Sequence, residues 1–206
     1  MKVDQLLHIL KKYLPDGMEH YAAEILVHYK IQLHIKNPRS TKYGDYRAPL
    51  PGENHRISLN RDLNSYAFLI TFMHEVAHLL NFEKFGHKVN PHGAEWKQYF
   101  QLVSKPVLEK KVLPHDVGYA LSKYLINPAA SSCSDPMLFR TLRKYDADSS
   151  WVLVEEIPMH APFELQDGKQ FVKIEKNRTR YTCKEIRSGR IYLVPGLAQC
   201  KPILPK

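Results

Sequence analysis

At the start of the chain, Val3, Leu6, Leu7, Ile9 and Leu10 recur every three to four residues. That spacing predicts an amphipathic helix over 3–13, stopped by Leu14-Pro15-Asp16-Gly17. A second helix is expected from Met18 to His28, with Ala22, Ile25 and Leu26 inward. The period then shortens to two. Ile31, Leu33 and Ile35 alternate with polar residues and read as a strand, ended by Asn37-Pro38-Arg39-Ser40. Thr41 to His55 holds two prolines and two glycines and reads as a loop or irregular hairpin. Arg56-Ile57-Ser58-Leu59-Asn60 alternates again as a short strand.

The next stretch has no polar face. Tyr66, Phe68, Leu69, Phe72, Met73, Val76, Ala77, Leu79 and Leu80 fill a helix between a cap at Asp62, Asn64 or Ser65 and a stop at Gly86. A helix apolar nearly all round belongs in a domain centre, yet this one carries His74, Glu75 and His78. Unpartnered polar groups there cost roughly a few kcal/mol each, so all three need strong partners. His74 and His78 stand four residues apart and face the same way on a helix, where both imidazoles can hold one small metal ion. Glu75 is turned by about 100° and can hold a water on that ion without ligating it.

Beyond it, Asn90-Pro91-His92-Gly93-Ala94-Glu95-Trp96 opens a helix with Trp96, Tyr99, Phe100 and Val103 on one side. Pro106 and Pro114 are expected to break the chain, and a further helix to run from Pro114 to Ile126. Ser131 to Pro136 reads as linker and Met137 to Tyr145 as a short helix. Trp151–Val154, Gln170–Lys176, Thr179–Ile186 and Arg190–Val194 then read as strands. The expected class is α+β: a mostly helical domain with a small sheet over 1–130, a linker and short helix over 131–150, and a small antiparallel β unit over 151–206.

Composition narrows the setting. No window of the 206 residues approaches the ~18–20 apolar residues of a membrane span. The N-terminus lacks a leader-like cleavage site, and three widely spaced cysteines suit a reducing cytoplasm. The net charge is +9, and from Gly168 to Lys206 ten Lys/Arg face two Asp/Glu, leaving +8. Such a tail attracts polyanions, with DNA the candidate partner. The candidate contacts are Lys173, Lys176, Arg178, Arg180, Lys184, Arg187 and Arg190. Phe171, Tyr181 and Tyr192 lie among them, suited to base stacking or, better, to a sheet core.

A metal that keeps an open position for water needs a third protein ligand, and His87, His92 and Glu95 are candidates. His87 would need a tight reversal, whereas His92 is far enough along for the chain to turn and pack antiparallel. The metzincin continuation is absent, because Asn81 and Lys84 stand where that class has glycine and histidine.

His74-Glu75-Val76-Ala77-His78, followed after thirteen residues by His92-Gly93-Ala94-Glu95-Trp96, resembles the SprT-like family, which carries H-E-x-x-H and then H-G-x-x-F/W on the next helix. Arg56 to Leu63 is similar to that family's segment before the active-site helix, and the resemblance covers about residues 20–105. It implies a minimal zincin-type metallopeptidase domain with one Zn2+ per chain, held by His74, His78 and His92, with Glu75 as general base. It implies a protein or peptide substrate. The Spartan-type relatives degrade proteins crosslinked to DNA, which extends the expectation to DNA-associated proteins. A different class of function remains beside it: a nucleic-acid-binding protein that uses this scaffold with little proteolysis.

Two departures stand out. Where many members have a Trp-Gly-Ser-Cys-like stretch, this chain has Tyr43-Gly44-Asp45-Tyr46. Where many bacterial members end in a four-cysteine zinc ribbon, this tail has Cys183 and Cys200 alone, so a metal-free β unit is expected and all three cysteines, Cys133 included, read as structural. Tyr43, Tyr46, Arg47 and Lys97 are candidate donors to a tetrahedral oxyanion. His8, His20, His28, His34, His55, His115 and His160 lack spaced partners and read as surface or satisfied core histidines.

Overall fold

The structure is a computed structural model and describes residues 3–39, 42–129, 135–147 and 150–203. The chain divides into two compact units, Met1–Asp146 and Ala147–Lys206. Among the described residues the class is α+β, with six helices, a three-stranded sheet and a separate six-stranded antiparallel sheet. No helix among them is long and apolar enough to cross a membrane.

The first unit opens with α1 (Val3–Leu10) and α2 (Glu19–His28). Three strands follow, β1 (Gln32–Lys36), β2 (Gly44–Arg47) and β3 (Arg56–Asn60). β3 is central, parallel to β1 and antiparallel to β2, so β2 is an edge. Of the two readings of 41–55, loop or irregular hairpin, the second holds: the stretch contains a strand that pairs antiparallel with the next one. Gly-Asp-Tyr-Arg has no apolar alternation, and its pairing comes from β3 (Tyr46 opposite Ile57).

α3 (Ser65–Phe85) is the centre of this unit, and every residue from Ala67 to Ala77 is buried. Asn64 caps it by accepting a hydrogen bond from the Ala67 N–H, and Gly86 ends it at φ 59°. α3 packs on β2, β3 and α4 (Ala94–Glu109). Pro106 does not break the chain, because α4 continues past it to Glu109. The bond it forfeits is to the carbonyl of Leu102, a residue 60% exposed, where water can replace the missing donor. α5 (His115–Tyr124) and α6 (Pro136–Arg143) complete the unit, α6 capped by Asp135. Leu138 and Leu142 of α6 are buried in the same core as α3, so this helix packs as part of the first unit rather than as a connector. The stretch around Cys133 lies outside the described residues.

The second unit runs β4 (Val152–Leu153), a 3-10 turn (Val154–Glu156), β5 (Pro162–Leu165), β6 (Gln170–Asn177), β7 (Arg180–Glu185), β8 (Ile191–Pro195) and β9 (Gln199–Pro202). The spatial order is β4-β9-β5-β6-β7-β8. Val154, Ile157, Phe163, Phe171, Tyr181, Val194 and the two buried cysteines Cys183 and Cys200 form its core. Burial pushes the Cys183 thiol up to about 11, which keeps it protonated and suits a packing role.

Two sequence expectations for this unit change. Lys173, read as a polyanion contact, is 2% exposed. Its ammonium donates to the carbonyls of Val154, Glu155 and Ile157 at 2.9, 3.2 and 2.5 Å and sits 3.9 Å from the Tyr181 ring centroid. Three acceptors match its three N–H donors, so it pins the 3-10 turn and has nothing left for a phosphate. The aromatics divide: Phe171 and Tyr181 are buried in the sheet core, whereas Tyr192 is exposed, with its ring edge-on to Phe171. The charge is also less polarised than the tail suggests. Over Ala147–Lys206 ten Lys/Arg meet seven Asp/Glu, leaving +3, because the unit includes the acidic stretch before Gly168.

Candidate active site

His74 and His78 lie on consecutive turns of α3, and His92 stands just before the N-cap Gly93 of α4. The antiparallel return between the two helices carries it back to them. His78 Nε2 lies 3.2 Å from His74 Nε2, and His92 Nε2 lies 3.4 Å from the same atom. Among the described residues these three form the group able to hold a metal ion, their ligand atoms all within 4.8 Å of one another. His87 and Glu95 are not in that group. His87 packs on Phe82 with ring centroids 5.2 Å apart.

The convergence has a chemical meaning. Burial first, then the neighbouring imidazoles, push His74 down to about 2 and His78 to about 3, and burial lowers His92 too. All three rings are therefore neutral at pH 7. A neutral ring nitrogen carries either one proton or one lone pair, so His74 Nε2 cannot satisfy both neighbours by hydrogen bonding. A cation accepting three lone pairs resolves this. Tetrahedral zinc with Zn–N of about 2.0–2.1 Å requires nitrogens about 3.3 Å apart, and the two separations bracket that figure. The donor set fits zinc.

Trp96 holds the three rings in place. It is fully buried, its ring centroid lies 4.7, 5.4 and 4.7 Å from those of His74, His78 and His92, and its indole N–H donates to the His74 carbonyl at 3.4 Å. It is the aromatic of the H-G-x-x-W motif, so the motif supplies a ligand and the wall behind it.

Glu75 points to the strand side. Its carboxylate accepts from the Tyr46 N–H of β2. Burial, with Asp45 adding to it, pushes its carboxyl up to about 8, against the opposing pull of that N–H, Lys42 and Arg39; a cation held by the triad would oppose this rise and favour the carboxylate. The approach depends on Gly44. A Cβ there would lie 2.5 Å from Glu75 Oε1, 2.9 Å from Glu75 Cγ and 2.7 Å from Thr71 Cγ2. Thr71 is buried and β-branched, so it cannot give way cheaply. Gly44→Ala is therefore expected to shift the Glu75 carboxylate and lower kcat on a peptide substrate by about 100-fold. Thermal unfolding should report a loss of about 1–3 kcal/mol. Unchanged kcat would show that the close strand–helix approach is not needed for turnover.

A cleft of about 640 Å3 runs over these residues, lined by Gly44, Asp45 and Tyr46 on one side and by the histidines, Asn81 and Phe82 of α3 on another. Of the candidate oxyanion donors, Tyr46 lines it. Its hydroxyl pairs with His55 Nδ1 at 2.9 Å, and His55 Nε2 in turn meets Glu83 at 3.2 Å. Lys97 instead donates to Asn127, and Arg47 is paired with Asp45. Sequence reasoning missed Gly44, and Tyr46 as an edge-strand donor. Only the Gly in a Tyr-rich stretch was a signal.

A model of the SprT-like family matches residues 14–118, half of the chain. The chain belongs to the SprT-like family. It therefore carries a metallopeptidase-type domain of a zinc-associated family, and the match contains all three histidines, Glu75 and Gly44. Neither a curated protein nor a solved structure matches the chain. The family region ends before the β unit, whose candidate polyanion residues lie at two places. Lys176, Arg178 and Arg180 flank the β6–β7 turn, and Lys184, Arg187 and Arg190 flank the β7–β8 turn; all six are exposed. The two groups sit at opposite ends of β7, a separation of roughly 17 Å at about 3.4 Å per residue.

Proposed function

We propose that this SprT-like chain is a zinc-dependent endopeptidase, with one zinc held by His74, His78 and His92 and Glu75 as its general base. The observation that carries the reading is the meeting of three neutral imidazoles around one point, with a carboxylate beside them in an open cleft. Zinc bound there supplies Lewis acidity towards water and towards a peptide carbonyl. The chain's own part follows from its geometry. Glu75, held by the Tyr46 N–H, takes a proton from the attacking water on its carboxylate and hands it to the leaving amide nitrogen. β2, an edge strand along the cleft, offers its outer side to an extended substrate chain.

The test is cleavage of an unfolded protein by the zinc-loaded chain. Activity should vanish on treatment with a chelator and return on adding zinc. A loaded chain that cleaves no protein overturns the reading and favours a nucleic-acid-binding protein on a metallopeptidase scaffold.

We further propose that DNA-associated proteins are among its substrates and that the exposed basic residues of the β unit contact DNA. Replacing Lys176, Arg178 and Arg180 by Gln should weaken DNA binding. It should also lower the slope of log affinity against log salt by about 0.9 for each phosphate that the variant no longer neutralises. An unchanged slope removes this hairpin from the interface.

A further inference from the structure

Most of the positive charge lies in the first unit rather than in the basic tail. Met1–Asp146 carries 20 Lys/Arg against 14 Asp/Glu, a net +6, and from Lys30 to Arg61 seven cations face two carboxylates, leaving +5. That stretch is the three-stranded sheet and its connections. Residues opposite each other across a ladder point to the same side, so the pairing sorts the sheet into two faces. Leu33, Ile57 and Tyr46 form one row and Ile35, Leu59 and Gly44 another, with Ile57 and Leu59 fully buried in the core. The opposite face carries the rows Gln32, Arg56, Arg47 and His34, Ser58, Asp45, with Lys36 at the end of β1.

Arg47 and Arg56 stand directly opposite each other on this outward face. Like charges in that position repel, so an anion between them relieves the sheet. Their side chains are 63% and 41% exposed and within reach of one. The carboxylates at hand fall short. Asp45 is shared by Lys42 at 2.5 Å and Arg47 at 3.1 Å, and Glu53 lies 3.8 Å from Arg56. Lys36 is exposed and has no ion-pair partner among the described residues. Arg39, by contrast, is used within the fold, donating to Asn60 and Ser58 at 2.7 and 3.1 Å. Burial first, then Lys36 and Arg56, holds the His34 ring below its ordinary range, so the fields of both cations converge on the middle of the face.

Cations spread along an extended sheet match a row of phosphates. No Phe, Tyr or Trp stands on the two rows, and Tyr43, just before β2, packs against the core. The face therefore offers charge and hydrogen bonds but no ring on which an unpaired base can stack, which favours a duplex over a single strand. We infer that the outward face of the three-stranded sheet binds the phosphate backbone of duplex DNA, with Lys36, Arg47 and Arg56 as its contacts. The choice of DNA rests on the reading given for the β unit; the face itself is independent of the peptidase reading. Asp45 stands on this face and also lines the cleft, so a duplex held here passes beside the histidine triad.

The test is binding of a short fluorescent DNA duplex to the full zinc-loaded chain, followed by anisotropy over a salt series. Lys36→Gln with Arg56→Gln should weaken binding by about 10-fold or more near 0.1 M salt. It should also lower the slope of log affinity against log salt by about 1.8, two contacts at about 0.9 each. Lys36→Gln alone, at an exposed position where no fold contact is lost, should give about half that change in slope. Lys105→Gln with Lys110→Gln removes the same charge from exposed positions of α4 and its C-cap and should change neither quantity. A wild-type slope in both sheet variants, or an equal loss in the α4 variant, overturns the inference. So does tighter binding of single-stranded DNA, duplex RNA or polyglutamate of equal charge. Lys176, Arg178 and Arg180 replaced by Gln separate the two surfaces: loss of binding there, with the sheet variants unmoved, keeps DNA as partner of the β unit and removes it from this face.

Discussion

Glu75→Gln is expected to lower kcat for peptide-bond cleavage by about 10²–10⁴-fold, the range a positioned general base supplies, while zinc content and fold stay as in the wild type. The substitution keeps the length and volume of the side chain, and its amide oxygen can still accept from the Tyr46 N–H that holds Glu75 against β2. Only the capacity to take a proton is lost. Glu75 is 5% exposed and lies against Gly44 at van der Waals limits, so no nearby carboxylate can move in as a substitute. Asp45, the other acidic group lining the cleft, is already engaged by Lys42 at 2.5 Å and Arg47 at 3.1 Å. Measured kcat and KM, with metal analysis on the same samples, check the expectation. A Glu75→Gln protein with wild-type turnover and one zinc per chain would remove Glu75 from the chemistry.

The second large effect concerns the metal itself. His92→Ala is expected to take bound zinc from one per chain to near zero after dialysis, whereas His87→Ala should leave it at one. His92 Nε2 meets His74 Nε2 at 3.4 Å, while His87, although it lines the same cleft, packs on Phe82 and stands outside the triad. Losing a direct ligand costs more than the roughly 10–100-fold typical of losing a partner behind one, so two histidines should not retain zinc at micromolar protein. Zinc should also raise the melting temperature of the wild type, since a ligand that binds only the folded state stabilises it, and leave His92→Ala unmoved. Equal zinc in both variants would place the third ligand elsewhere.

Helix α3 was legible because its information is local. An apolar run with a cap at Asn64 and a stop at Gly86 specifies a buried helix, and the 3.6-residue period puts His74 and His78 on one face. The position of His92 at the start of the next helix was readable for the same reason. β3 was readable from its own alternation. β2 was not, because Gly44-Asp45-Tyr46-Arg47 carries no pattern and exists as a strand only where Leu59 to Arg56 lies alongside it.

The sequence by itself determined the chemistry on offer: two histidines and a glutamate on one buried helix, with a third histidine within reach. Tertiary structure decided what surrounds them. Gly44 is needed because a strand distant in sequence passes against Glu75, and Trp96 braces all three histidines because α4 returns along α3. Lys173 reads as one more basic residue until the β unit folds over it and its ammonium meets three carbonyls. Side-chain type and local period are written in the chain, but close approaches between distant segments arise only when it packs, and such approaches position Glu75.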